Sequence, residues 1–127
     1  MGTDNRPCLR RLRCLWSDTQ TADDPNLAEV TALQLRAMTF TGIKRFTEWW
    51  LGHLRLLPVN AFAFAGTIRV IVRIWPTSKR EQLRKTMRQC RHALAVEQLH
   101  NPPVEERERC KGLERSLIHM LLTNWDR

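Results

Sequence analysis

Between Lys79 and His92, seven of fourteen residues are basic (Lys79, Arg80, Arg84, Lys85, Arg88, Arg91 and His92), and Glu81 is the single carboxylate. Cations three and four residues apart share one side of a helix. This spacing therefore sets a row of guanidinium and ammonium groups that can meet phosphates along a nucleic acid or an acidic groove on another protein. A solvated polar face has the same pattern. Half of the positions being basic against one acid favours binding, with Arg84, Lys85, Arg88 and Arg91 as the contacts. The segment holds no aromatic residue, so it offers no stacking platform for single-stranded nucleic acid.

Bond-making chemistry finds no support. The sequence has no Ser-His-Asp or Cys-His signature and no glycine-rich phosphate loop, and its carboxylates stand singly or beside arginines at helical spacing. No catalytic residue is expected. Cys8, Cys14, Cys90 and Cys110 form neither a C-x-x-C nor a Cys/His block, and are read as reduced thiols. His53, His92, His100 and His119 form no H-E-x-x-H, so no metal and no cofactor is expected.

Two other stretches are candidates for contact. Residues 7–16, PCLRRLRCLW, place Leu9, Leu12 and Trp16 on an apolar side with Arg10, Arg11 and Arg13 interleaved. That is a short basic amphipathic helix, suited to the boundary between acyl chains and anionic headgroups; the rival reading is a frayed terminus. Near the other end, Leu117, Ile118, Met120, Leu121, Leu122 and Trp125 are apolar around most of a helix circumference. A monomeric surface helix has no need of this. Leu117, Leu121 and Trp125 are thus expected between neighbouring helices or at a subunit contact, as in a homodimer.

The elements that carry these groups read as helices. Residues 17–26 are polar and turn-rich, and Asp24-Pro25 is a sound helix start. Leu27, Val30, Leu33, Ala37 and Phe40 then trace a stripe to Gly42. Ile43, Phe46, Trp50, Leu54 and Leu57 continue it, straight on or bent at Gly42, until Pro58. Residues 59–75 fit both a strand, through alternating Ile68, Val70, Val72 and Ile74, and a helix, through Ile68, Ile71, Val72 and Trp75. Helix is preferred because no second strand is present to pair with, and it sets Arg69 and Arg73 one turn apart at an edge. Ser78-x-x-Glu81 after Pro76-Thr77 reads as a capping box starting a helix at 79, so Ser78→Ala is expected to cost about 1 kcal/mol. Leu83, Met87, Cys90 and Leu94 form its apolar stripe, and Asn101-Pro102-Pro103 ends it before a last helix from Val104.

The expected fold is all-α: a flexible basic segment over residues 1–24, then one domain of four to five amphipathic helices over 25–127. The longest apolar stretch, residues 56–75, contains Pro58, Asn60, Arg69 and Arg73, so no spanning helix is expected. The start shows neither a secretory h-region nor a myristoylation signal, since Arg6 stands where Ser or Thr is needed, which points to the cytosol or nucleus. A formal charge of +8 over 127 residues favours phosphates, anionic membranes or acidic protein faces. Tyr is absent, Trp occurs five times and Arg outnumbers Lys by 17 to 4. Such usage suits a reading frame constrained by an overlapping gene, or extreme base composition.

Residues 70–87, VIVRIWPTSKREQLRKTM, resemble the C proteins that paramyxoviruses encode in an alternative frame of the phosphoprotein gene. In that family an aliphatic run (here Val70, Ile71, Val72 and Ile74) enters a short break (Pro76 to Ser78) and is followed by a Leu and a Met (Leu83 and Met87). Residues 41–46, TGIKRF, are similar to a basic helical segment of morbillivirus members, and PCLRRLRCLW to the N-terminus of respirovirus members. Pro76 departs from members that continue in helix. The resemblance implies a helical virulence factor of the host cytoplasm, or of the nucleus. It would antagonise interferon induction and signalling, tune the viral polymerase and aid budding, and its partners would be host innate-immunity proteins and viral polymerase or nucleocapsid components. The rival reading is a small basic RNA-binding protein, either sequestering double-stranded RNA or associating with ribosomes.

Overall fold

The computed structural model describes residues 6–18, 26–57 and 59–125, together with the backbone but not the side chains of Arg6, Asn124 and Trp125. In these residues six α-helices run in order: α1 (Arg6–Ser17), α2 (Leu27–Arg36), α3 (Phe40–His53), α4 (Ala61–Ile74), α5 (Arg80–Glu97) and α6 (Val104–Trp125). Among the described residues there is no strand, as the periodicity predicts. Among the same residues no helix is long and apolar enough to cross a membrane. The chain divides into two units, the first ending at Trp75 and the second beginning at Pro76, where the sequence suggests one domain from residue 25.

In the first unit, α1 packs on α3 and α2, and α2 packs on α4. The core is aromatic. Trp16 meets Trp50 edge-on at 5.2 Å, and Phe64 stacks on the same indole at 5.3 Å, while Phe46 lies parallel to it at 6.3 Å. Helices α2 and α4 run in the same direction. Gly66 abuts Ala28 near the start of α2, and Trp75, past the end of α4, meets Phe40, past the end of α2, at 4.9 Å. A Cβ on Gly66 would stand 2.9 Å from that of Ala28, so hydrogen at this position lets the two helices close up.

Three expectations for this unit are corrected. Leu9, Leu12 and Trp16 of α1 are buried inside the chain, and the Trp16 Nε1–H donates to Thr31 Oγ1 at 2.9 Å. The apolar side of α1 is thereby taken up by α2 and α3, and residues 6–18 are a packed part of the unit. The rest of the segment read as flexible, residues 1–5 and 19–24, lies outside the described residues, as do Pro25 and Pro58. Next, the buried side of α2 is Leu27, Thr31, Ala32 and Leu35, whereas Val30 and Leu33 are exposed. Thr31 qualifies for burial because its hydroxyl also donates to Leu27 O at 2.8 Å. Finally, the helix break falls at Ala37–Thr39 rather than Gly42, because Thr39 is the extended N-cap whose Oγ1 accepts from Gly42 N. Asn60 caps α4 in the same way, accepting from Ala63 N at 2.8 Å, and α4 buries the helical stripe Phe64, Thr67, Ile68, Ile71 and Val72. Arg69 and Arg73 are exposed on it, one turn apart.

The second unit is built on α5 packed against α6. Leu83, Met87, Cys90 and Leu94 are all buried, the stripe that the three-and-four spacing marks. The capping box does not form. A 3-10 turn, Thr77–Lys79, closed by Lys79 N–H donating to Pro76 O at 3.0 Å, delays α5 to Arg80, and no side chain caps it. Glu81, the other half of the motif, instead accepts from Arg84 Nη1 at 2.7 Å. A second 3-10 turn, Gln98–His100, ends on Asn101 in the left-handed region (φ 55°), a conformation asparagine tolerates, and Pro102-Pro103 follow.

Candidate functional site

Successive residues of an α-helix are rotated by about 100°. On α5 this sends Leu83, Met87, Cys90 and Leu94 to one side and Lys85, Arg88, Gln89 and His92 to the opposite one, where all four are exposed. Together with Glu81 and Gln82, these four line an open depression along the helix. Lys85 and Arg88, two of the four expected contacts, sit in it side by side. The other two stand on the flank: Arg91 is exposed, and Arg84 is half-buried in its ion pair with Glu81. Arg84 Nε is also buried without a partner, as is Arg80 Nε one turn before it. Gln82, Gln89 and His92 are absent from the sequence-based set, although their successive spacings of seven and three mark the same face.

The apolar candidates are placed differently. Leu117 and Leu121 are buried in α6, with Cys110, Leu113 and Met120 on the same helix, so they belong to the core of the chain rather than to an open contact face. Trp125 ends α6, and its side chain lies outside the described residues. Leu122 is 57 % exposed beside them. The proposed membrane face on α1 is split in the same way. Leu9, Leu12 and Trp16 are internal, and only Arg10, Arg11 and Arg13 reach solvent.

Of the thiols, Cys14 is exposed, Cys8 half-buried, and Cys90 and Cys110 buried, and none of the four is in a disulfide. Burial pushes the Cys90 thiol up to about 12, which keeps it protonated and unreactive at neutral pH. Burial lowers Arg109, with Cys110 and Glu106 acting in the opposite sense. Among the described residues, no three His, Cys, Asp or Glu side chains gather as a metal site would require. Comparison with protein-family models, with curated proteins and with solved structures finds nothing that matches this chain.

Proposed function

We propose that this protein works by binding, as an accessory virulence factor of the paramyxovirus C type, and that the outward face of α5 docks on an acidic surface of a host innate-immunity protein or of the viral polymerase complex. The observation that carries the reading is the division of α5 into a wholly buried apolar side and an exposed basic side centred on Lys85 and Arg88. The stretch that resembles the C proteins also falls on helix, break and helix, with Ile71, Val72, Leu83 and Met87 all buried. Glutamines 82 and 89 among the cations suit a protein groove, since amides read hydrogen-bond partners that a run of phosphates does not present.

Reversal of Arg84, Lys85, Arg88 and Arg91 to Glu tests this. The four changes shift the local charge by eight units while leaving the Leu83–Leu94 stripe intact, and exposed ion pairs contribute only about 0 to 1 kcal/mol each. The variant is expected to keep its helical circular dichroism, to lose co-precipitation of its partner from nuclease-treated lysate, and to lose suppression of an interferon reporter. A folded variant with full activity refutes the assignment. If capture disappears on nuclease treatment alone and falls steeply with salt, the α5 face binds RNA instead.

A further inference from the structure

The first unit has a surface feature that the α5 reading leaves unused. On α3, Arg45, Trp49 and His53 follow one another at intervals of four and so share one ridge of the helix. The His53 imidazole stacks on the Trp49 indole, with centroids 5.1 Å apart and planes 26° from parallel, and the contact between its Nδ1 and Trp49 O at 2.7 Å fixes the ring. Arg13 reaches across from α1, its guanidinium carbon 5.6 Å from the centre of the same indole. Arg45 and His53 are exposed, Trp49 is half-exposed, and Arg10 stands exposed one turn before Arg13. Beside the stack, a Cβ built on Gly52 meets nothing within 4 Å, so the approach to the rings is open down to the backbone.

We infer that this ridge is a binding site for single-stranded RNA. A base would stack on the exposed imidazole, lengthening the Arg13–Trp49–His53 ladder by one ring, while Arg45 and Arg10 take the phosphates on either side. The chemistry selects this occupant. A cation–π contact alone would serve to hold α1 on α3, but a second, exposed ring lying parallel to the indole adds nothing to that role and presents a flat π surface. Flat π surfaces flanked by arginines are how proteins hold unpaired bases without reading sequence. An acidic peptide would use the arginines and leave the rings idle, and duplex RNA keeps its bases inside the helix and out of reach.

The test is a titration of the full chain with a fluorescein-labelled oligouridylate of about 12 nucleotides, within the usual span of such sites. It is followed by anisotropy and by tryptophan emission. Binding with quenched emission is expected, weakened roughly 5- to 150-fold by His53→Ala, the range for loss of one stacked base. Arg45→Glu should weaken binding and flatten its salt dependence by about one phosphate contact. Gly52→Glu, whose Cβ meets nothing within 4 Å, should abolish it. Because Trp49 is partly buried, these three exposed positions carry the test, with circular dichroism confirming the fold. The quadruple α5 reversal should retain oligouridylate binding, so this site and the α5 site can fail separately. The inference is overturned if, in the α5 reversal variant, duplex RNA or polyglutamate binds as tightly as oligouridylate. It is also overturned if His53→Ala and Arg45→Glu leave the affinity unchanged, or if the α5 reversal removes it.

Discussion

Replacing Thr31 by Val probes how firmly α1 is joined to the first unit. Thr31 is fully buried. Its hydroxyl is both the acceptor for Trp16 Nε1–H at 2.9 Å and a donor to Leu27 O at 2.8 Å. Valine keeps the shape and removes both bonds. The Leu27 carbonyl retains its place in the helix ladder, but the indole N–H, on a residue only 2 % exposed, is left without an acceptor. An orphaned buried donor costs about 1–3 kcal/mol, so Thr31→Val should destabilise the first unit by that amount. Two companions calibrate the figure. Thr47→Val loses only a back-bond to Ile43 O at 2.8 Å and should cost about 1 kcal/mol or less. Thr67 is equally buried, but its Oγ1 has no partner, so Thr67→Val should be neutral or stabilising by about 1 kcal/mol. Urea unfolding followed by tryptophan emission, which senses Trp16 and Trp50 directly, gives the ranking from the midpoints at constant m. If Thr31→Val is as stable as the parent, or Thr67→Val the most damaging of the three, the hydrogen-bond reasoning fails.

Four further outcomes are expected. Gly66→Ala should destabilise by about 1–3 kcal/mol, because the new methyl would stand 2.9 Å from Ala28 Cβ on a neighbouring helix. Gly112→Ala on α6, with nothing within 4 Å, should stabilise by about 0.5–1 kcal/mol; thermal melts of the pair decide. Ser78→Ala should be silent within about 0.5 kcal/mol, since no side chain caps α5, and a loss near 1 kcal/mol in urea would restore the capping box. Cys90, raised from 9.0 to about 12 by burial, stays a thiol in the folded chain while the unfolded chain ionises. Its contribution is therefore complete below pH 9 and declines between about 9 and 12, by up to about 1.4 kcal/mol per pH unit. The difference between parent and Cys90→Ala across that window measures it, and a difference that does not change with pH would contradict the assignment.

Where a single strong period governs a segment, the sequence is a good guide. Leu83, Met87, Cys90 and Leu94 leave no rival stripe on α5, and its buried side is as the spacing requires. Helix α2 was harder, because Val30 and Leu33 compete with Thr31 and Leu35 for the inner side. The deciding factor is that a threonine whose hydroxyl bonds the preceding turn can be buried as readily as a valine. In α1 amphipathicity was legible but its partner was not. An apolar stripe with arginines behind it looks the same whether lipid or another helix covers it. The capping motif yielded to the neighbouring Pro76, whose carbonyl draws the chain into a 3-10 turn first. The exposed half of the α5 site could be read from charge alone. The Arg13–Trp49–His53 stack depends on α1 crossing α3, which no local pattern encodes; only the Trp-His spacing of four hints at it.

The packing of α1 on α3 also orders events in time. Helix α1 is synthesised before α3, and at about 5–20 residues per second the 36 residues from Ser17 to His53 take roughly 2–7 s to appear. Throughout that interval Leu9, Leu12 and Trp16 have no α3 to cover them, and α1 is a bare basic amphipathic helix. Helix α2 waits in turn for α4. By contrast, α5 and α6 are joined by only six residues, and their contacts are local, which allows them to close within microseconds to milliseconds of synthesis. The first unit is thus the slow one to assemble, and the helix whose composition suggests a membrane is open to a chaperone or a bilayer while it waits for α3.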